Sequence, residues 1–277
     1  MSYMNMSEKN DISASVPIHY PKLSIIIPAY NEERRLPDTI KKITAWMQTL
    51  TFAIEILIVE NGSQDRTTEL AESYARHFDN IIVLHSSKGK GAAVREGMLH
   101  GRGEYLFICD ADLSMPIAEI ENFLPACAAG YDIVIGSREA PGARRYNEPF
   151  HRHFTGRVFN AIVRLLAVPG FDDTQCGFKI FRREVARDVF MHQTISGWTF
   201  DVEVIYLALR YGYRVTEVPI NWYFNPDSRI SILQDTWQMF YDLMRIRLNG
   251  LRSVYDRRET IPADRKRFSP DEDSMLT

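Results

Sequence analysis

Short, continuous apolar runs alternate with longer segments of helical spacing along the first half of the chain. Residues 23–27 (LSIII) predict a buried strand that stops at Pro28, and LPDTIKKITAWMQTL predicts the helix after it. Strand IEILIVE (Ile54–Glu60), helix DRTTELAESYARHF, strand IIVLH (Ile81–His85), helix GAAVREGMLHG and strand YLFICD follow in turn. Continuous apolar strands separated by helices predict an α/β fold, a Rossmann-like, doubly wound, mostly parallel sheet. In such sheets ligands bind beyond the carboxyl ends of the strands. The polar clusters PAYNEE, ENGSQD and DADLS all fall there.

After YDIVIGSR the pattern changes. Residues 138–164 hold six arginines against two acids, interleaved with Phe150, Phe154, Phe159, Ile162 and Val163. A second basic amphipathic stretch, within residues 231–258, repeats Leu233, Trp237, Phe240, Met244, Leu248 and Leu251 at helical spacing. That spacing suits a helix lying on a membrane surface and equally a helix facing the core. Residues 1–20 and 259–277 are polar and aperiodic and read as flexible tails.

Composition narrows the field. The 277 residues are 45% hydrophobic and 25% charged, the profile of a globular chain with a sizeable core. A net charge of −3 gives no bulk attraction to nucleic acid. Cys109, Cys127 and Cys176 are too scattered for a disulfide framework or zinc site, which suits a reducing cytosol. No apolar stretch approaches the ~20 residues that span a bilayer, and the polar N-terminus is unlike a signal peptide.

The chemistry gathers at YLFICDADLS. Strand side chains alternate, so Asp110 and Asp112 are expected to share a face where the sheet meets solvent. Asp is also common in turns at strand ends, which is the structural alternative. Two neighbouring carboxylates repel unless a cation or proton intervenes, and Mg²⁺ or Mn²⁺ bound partly by a substrate diphosphate suits such a pair. SSKGKGAAVREG offers flexible backbone, Lys90 and Arg95 ahead of a helix, where an anion or plain solvent could sit. It lacks the Walker spacing, and Val94 replaces the third glycine of a dinucleotide fingerprint. His151 and His153 have no third metal ligand at useful spacing, and no Gly-x-Ser-x-Gly elbow occurs.

Taken in order, IIIPAYNEE, IVENGSQDRT, KGKGAAVREGM, DADLS, IGSR, DTQCGFKIF and WTFDVE resemble the family 2 inverting glycosyltransferases of GT-A fold. The likeness spans about residues 23–232 and points within the family to dolichyl-phosphate β-glucosyltransferases and polyprenyl-phosphate glycosyltransferases. It implies a catalytic domain over residues 21–230, with a nucleotide-sugar half (21–115) and an acceptor half (116–230). Pro28, Ala29, Tyr30, Glu32, Asn61, Gly62 and Ser63 would line the base and ribose, with Lys90, Arg95, Asp110, Ala111 and Asp112 also on the donor. Asp110 and Asp112 would hold the metal as a D-x-D motif, with Ser114 as a further ligand. Arg138, Arg152 and Gln175 would meet the acceptor phosphate, and Asp112 and Asp201 would be catalytic. The family usually has two acids before Gly-Ser; here they are Glu60 and Asn61, which bears on nucleotide choice rather than reaction type.

The activity so implied moves a hexose, foremost glucose from UDP-glucose, to a polyprenyl or dolichyl phosphate. The enzyme would work peripherally at the cytoplasmic face of a membrane. GDP-mannose as donor, a soluble glycan hydroxyl as acceptor, and a non-catalytic nucleotide-sugar binder are the alternatives. Asp201 matters as a base only for a hydroxyl acceptor, because a phosphate monoester, with a second pKa of about 6, is already mostly dianionic. At the start of the FDVEVIYLALRYG helix its acid could equally be a helix-dipole charge.

Overall fold

The apolar runs pair side by side. In the computed structural model, which describes residues 20–225 and 232–257, β1 (Leu23–Ala29), β2 (Ile54–Glu60), β3 (Ile81–His85) and β4 (Tyr105–Ile108) lie parallel in the order β3-β2-β1-β4. Neighbours cover β1 and β2 on both faces, so every residue of β2 is buried; this is why they read as continuous rather than alternating runs. The predicted tails lie outside the described residues, Tyr20 excepted. Helices α1 (Leu36–Met47), α2 (Thr67–His77) and α3 (Lys90–His100) make the connections. Because strand order reverses about β1, right-handed crossovers put α1 and α2 on one face and α3 on the other. The crevice of that reversal opens at the carboxyl ends of β1 and β4.

One boundary differs from expectation. β1 continues through Pro28 to Ala29, because its ladder with β4 ends at the Ile26–Ile108 pair and Pro28's missing N–H falls beyond it. The sheet is completed by β5 (Ile133–Ser137), β7 (Lys179–Arg182) and β8 (Val215–Pro219). β7 inserts antiparallel between β4 and β5, joining both halves of the chain in one seven-stranded sheet ordered β3-β2-β1-β4-β7-β5-β8. A two-stranded ribbon, β6 (Arg144–Tyr146) with β9 (Asn221–Tyr223), stands beside it. The short helix α4 (Leu124–Ala128), then α5 (Phe150–Leu166), α6 (Arg183–Met191), α7 (Phe200–Arg210) and α8 (Ile232–Leu251) complete the elements used below. All three cysteines are buried and unpaired.

α8 turns out to carry two apolar stripes. Its inner face, Leu243, Ile246 and Gly250, packs toward α7 so closely that a Cβ on Gly250 would stand 2.1 Å from the Tyr206 hydroxyl. The stripe singled out from the sequence is the other one. Trp237 (78% exposed), Phe240, Met244, Leu248 and Leu251 (80% exposed) face outward, with Tyr241 and Val254 beside them. The core-facing alternative therefore does not hold for these residues; the Leu233 side chain lies outside the described residues.

The central layer tolerates no added bulk where α3 crosses it. A Cβ on Gly97 would meet Ile26 Cγ2 at 2.4 Å and Val59 Cγ2 at 3.1 Å. Gly97→Ala is expected to cost about 1–3 kcal/mol from overpacking, less any helix-propensity gain, and Gly97→Val more. Denaturant unfolding of the two variants checks the order.

Candidate active site

The loops after β1 and β2 are stitched to each other through side chains. Asn31, in the left-handed region at φ 52°, donates its amide to Ser63 Oγ at 3.0 Å and accepts from the Gln64 amide at 2.7 Å. The Glu32 amide donates to Thr67 Oγ1 at 2.6 Å, and the Glu32 carboxylate pairs with Arg35 at 3.4 Å. Glu60 caps the second loop. Burial alone would raise its carboxyl, but N–H groups of Ser63 and Gly62 and the His85 ring hold it below the ordinary value. Asn61 is buried, and its Oδ1 has no partner among the described residues. Tyr30 is half-buried with Lys88 Nζ 5.4 Å from its ring centre. The structure thus brings Pro28, Ala29, Tyr30, Glu32, Asn61, Gly62 and Ser63 to one wall, and adds Lys88, which lies inside KGKGAAVREGM but was assigned no role from the sequence.

At the end of β4 the chain turns at once. The strand stops at Ile108, so Asp110 and Asp112 sit in a turn and the same-face argument from strand alternation does not apply. Leu113 adopts φ 44°, its amide donating to the Asp110 carbonyl, while Asp112 Oδ1 accepts the Ser114 amide at 3.0 Å. Ser114 is buried, and its carbonyl accepts the Tyr223 amide at 2.7 Å, tying β9 to the turn. Thr39 Oγ1 donates to the Ala111 carbonyl at 2.6 Å. Lys90 Nζ lies 2.6 Å from Asp110 Oδ1. Burial works against its ammonium, yet Asp110, Asp201 and Asp112 outweigh that and raise Lys90 above the usual lysine value.

A second ion pair lies beneath the first. Lys179, fully buried on β7, donates to the Cys176 carbonyl and reaches Asp201 Oδ1 at 2.5 Å. Asp201 is only 5% exposed, in the first turn of α7; burial raises its carboxyl, opposed by Lys179 and Lys90. Gly177 explains the glycine of DTQCGFKIF. A Cβ there would stand 1.8 Å from Asp110 Oδ2, so only glycine lets Asp110 occupy its place. Gly177 and Lys179 were inside a quoted motif, but nothing in the sequence assigned them a contact.

Three acids thus face two ammonium groups, and the imbalance lies at the solvent-open end, with Asp110 and Asp112. No group of three or more His, Cys, Asp or Glu side chains able to cage a metal occurs among the described residues. Two hard carboxylates with a surplus of negative charge fit a Mg²⁺ or Mn²⁺ ion that draws its remaining ligands from a bound diphosphate and water.

The acceptor-side residues fare differently. Arg138, at the end of β5, is committed to buried Asp173 through Nε at 2.7 Å and Nη2 at 2.8 Å, with its amide on the same carboxylate at 3.0 Å. It is a brace for the 172–175 loop before it is anything else, and it also stacks on Trp222, 5.3 Å from the ring centre. Arg145 shares that ring and pairs with Glu139 and Glu148, whereas Arg144 is exposed with no ion pair among the described residues. Gln175 is half-buried in the braced loop; Arg152 lies in the first turn of α5 and its side chain lies outside the described residues. Arg95 is not brought to the acids. Its Nε donates to the Phe190 carbonyl at 2.9 Å, and it lines a separate cavity of about 370 Å³ with Ser86, Ser87, Gln193 and Ser196.

Burial would push the Asp173 carboxyl up, but Arg138 and its N–H donors hold it below the ordinary range. The contribution of Asp173 to stability is then full above the unfolded value of about 3.9 and lost as pH falls through the lower native one. Arg138→Ala strands a buried carboxylate, at an expected cost of about 3–5 kcal/mol at pH 7. The variant should regain stability on acidification from pH 7 to 5 while the wild type does not; denaturation midpoints across that range check both.

Comparison with known proteins identifies the family. Residues 24–190 match the model of Glycosyl transferase family 2. The chain is 34% identical over 254 residues to a dolichyl-phosphate beta-glucosyltransferase of Dictyostelium discoideum, covering 86% of this chain and 78% of that one. It is 31% identical over 259 residues to the Homo sapiens protein of that name, covering 86% and 79%. Among solved structures, mannosyl-3-phosphoglycerate synthase from Rubrobacter xylanophilus superposes with TM-score 0.61 at 17% identity, over 87% of this chain and 79% of that one. Glucosyl-3-phosphoglycerate synthase from Mycobacterium tuberculosis, in complex with Mn²⁺, UDP-glucose and phosphoglyceric acid, gives 0.57 at 14% identity over 87% and 81%. The two structures share the fold, and the family match with the sequence relatives decides the membership: the chain belongs to glycosyl transferase family 2.

Proposed function

We propose that the protein transfers glucose from UDP-glucose to a dolichyl or polyprenyl phosphate, giving a β-linked lipid-phosphate glucose. The observation that carries this reading is the Asp110–Asp112 turn at the strand-order reversal, braced by Lys90, in a chain about a third identical to dolichyl-phosphate glucosyltransferases. In this reading the nucleotide lies on the Tyr30–Asn61–Ser63 wall. The unpaired Asn61 Oδ1 wants an N–H donor, which the imino group of uracil or guanine supplies. Uracil is preferred because the relatives are glucosyltransferases. Asp110 and Asp112, with Ser114 as the further candidate, would hold Mg²⁺ or Mn²⁺. When bound, the ion stabilises negative charge on the departing diphosphate.

The surroundings of Asp201 favour a phosphate acceptor over a hydroxyl. A general base must reach the proton it takes, yet Asp201 is buried and held by Lys179. A phosphate dianion needs no deprotonation, so orientation suffices. Asp201 then holds Lys179 and adds its charge to the field around Lys90, and Arg138, Arg144, Arg152 and Gln175 are the groups proposed to meet the acceptor. A lipid acceptor keeps its tail in the bilayer. No helix among the described residues is long and apolar enough to cross a membrane. The outward stripe of α8, with exposed Arg245, Arg247 and Arg252 around it, is proposed to lie on anionic lipid at the cytoplasmic face.

Two measurements test the reading. UDP-glucose and GDP-mannose are each offered with short polyprenyl phosphates; turnover with UDP-glucose alone is expected, abolished by chelator. Asp110→Ala or Asp112→Ala should lower it on the order of 10³-fold, matching about 4 kcal/mol for a close charge pair. Undiminished turnover in the variants sinks the mechanism, and preference for GDP-mannose sinks the donor assignment. For the lipid contact, flotation with anionic vesicles should carry the wild type upward and leave a Trp237→Asp/Leu251→Asp variant in solution. Equal flotation of both removes α8 from the contact.

A further inference from the structure

Glu203, the last residue of WTFDVE, is fully buried one turn into α7, and no part of the reaction proposed above uses it. No lysine or arginine pairs with it among the described residues. Its oxygens instead accept both the Thr194 amide at 3.0 Å and the Thr194 hydroxyl at 2.7 Å, the Ile195 amide at 2.8 Å and the Tyr255 hydroxyl at 2.6 Å. A buried carboxylate satisfied by neutral donors alone is costly to desolvate, so plain packing would be better served by an apolar residue. What it gathers is one loop, residues 193–198, and the turn after α8.

That loop lies across the first turn of α3. Gln193 Nε2 donates to the Gly91 carbonyl at 2.9 Å, and the Ala92 amide donates to the Ser196 carbonyl at 3.2 Å. A Cβ on Gly89 would stand 2.3 Å from the Ser196 oxygen, and one on Gly91 2.7 Å from the Ile195 oxygen. The glycines of SSKGKG therefore make room for this strap. The strap ends at Trp198, whose ring centre lies 5.4 Å from Lys90 Nζ, the same ammonium that grips Asp110 in the acid turn.

We infer that Glu203 is a positioning residue for the sugar nucleotide. It pins the 193–198 strap, the strap fixes the first turn of α3, and Lys90 is thereby held beside Asp110 where a diphosphate would bind. Tyr255, with Asn249 Nδ2 on its hydroxyl at 3.2 Å, supplies the anchor from the C-terminal end. This inference rests on the donor site proposed above.

The test compares the full chain with Glu203→Gln and Tyr255→Phe, measuring UDP binding by calorimetry and separate KM values for UDP-glucose and polyprenyl phosphate. Gln keeps the shape but turns an NH₂ toward N–H groups that need acceptors. Its donor KM and UDP Kd are expected to rise about tenfold, the equivalent of one lost buried hydrogen bond. Tyr255→Phe should move the same two constants about threefold, and the acceptor KM should stay within about twofold in both. A purely structural role would shift both KM values together or only the melting temperature, and either result overturns the inference. If Glu203→Gln does not fold, Tyr255→Phe alone decides by the same split. A wild type that neither binds UDP nor turns over defeats the donor-site reading, whereas a wild type that binds UDP no better than its variants defeats only the role of Glu203.

Discussion

The ion pair between Lys90 and Asp110 is the contact on which the site is built. It forms only because two distant segments deliver it: α3 brings the ammonium and the end of β4 brings the carboxylate. Each is hemmed in from a third direction. Gly177 leaves room for the Asp110 carboxylate and for nothing larger, while the 193–198 strap presses on the α3 turn. Beneath them, Lys179 and Asp201 repeat the arrangement in the interior, linking β7 to α7. Two ammonium groups against three acids leave negative charge where the crevice opens, which is the electrostatic condition for taking a cation with a diphosphate.

Packing and charge cooperate through α7. One turn of that helix carries Asp201 toward the lysines and Glu203 toward the strap, and the Thr199 hydroxyl at its start donates to buried Asp242 on α8 at 3.0 Å. The helix that bears the outward apolar stripe is therefore fastened by hydrogen bonds to the element that orders the acid cluster. The acceptor side is held by the same logic: Arg138 and Asp173 brace the loop before β7, and Trp222 lies against both Arg138 and Arg145.

Local pattern determined the first half of the sheet. β2 and β3 have the bounds their runs predicted: β2 is buried along its whole length between two neighbours, β3 is the half-buried edge strand beside it, and neighbours in sequence are here neighbours in space. The polar loops at the carboxyl ends were legible for the same reason, and with them Tyr30, Asn61, Ser63, Lys90, Asp110 and Asp112. The motif order carried the family. Tertiary structure decided what depends on contacts between distant segments. No local signal could say that β7 would insert antiparallel, that Arg138 would be spent on Asp173, or that Arg95 would face away from the acids. Nor could it say which of α8's two apolar stripes would face the core, since a helix shows its period in sequence but not the side from which its neighbour approaches.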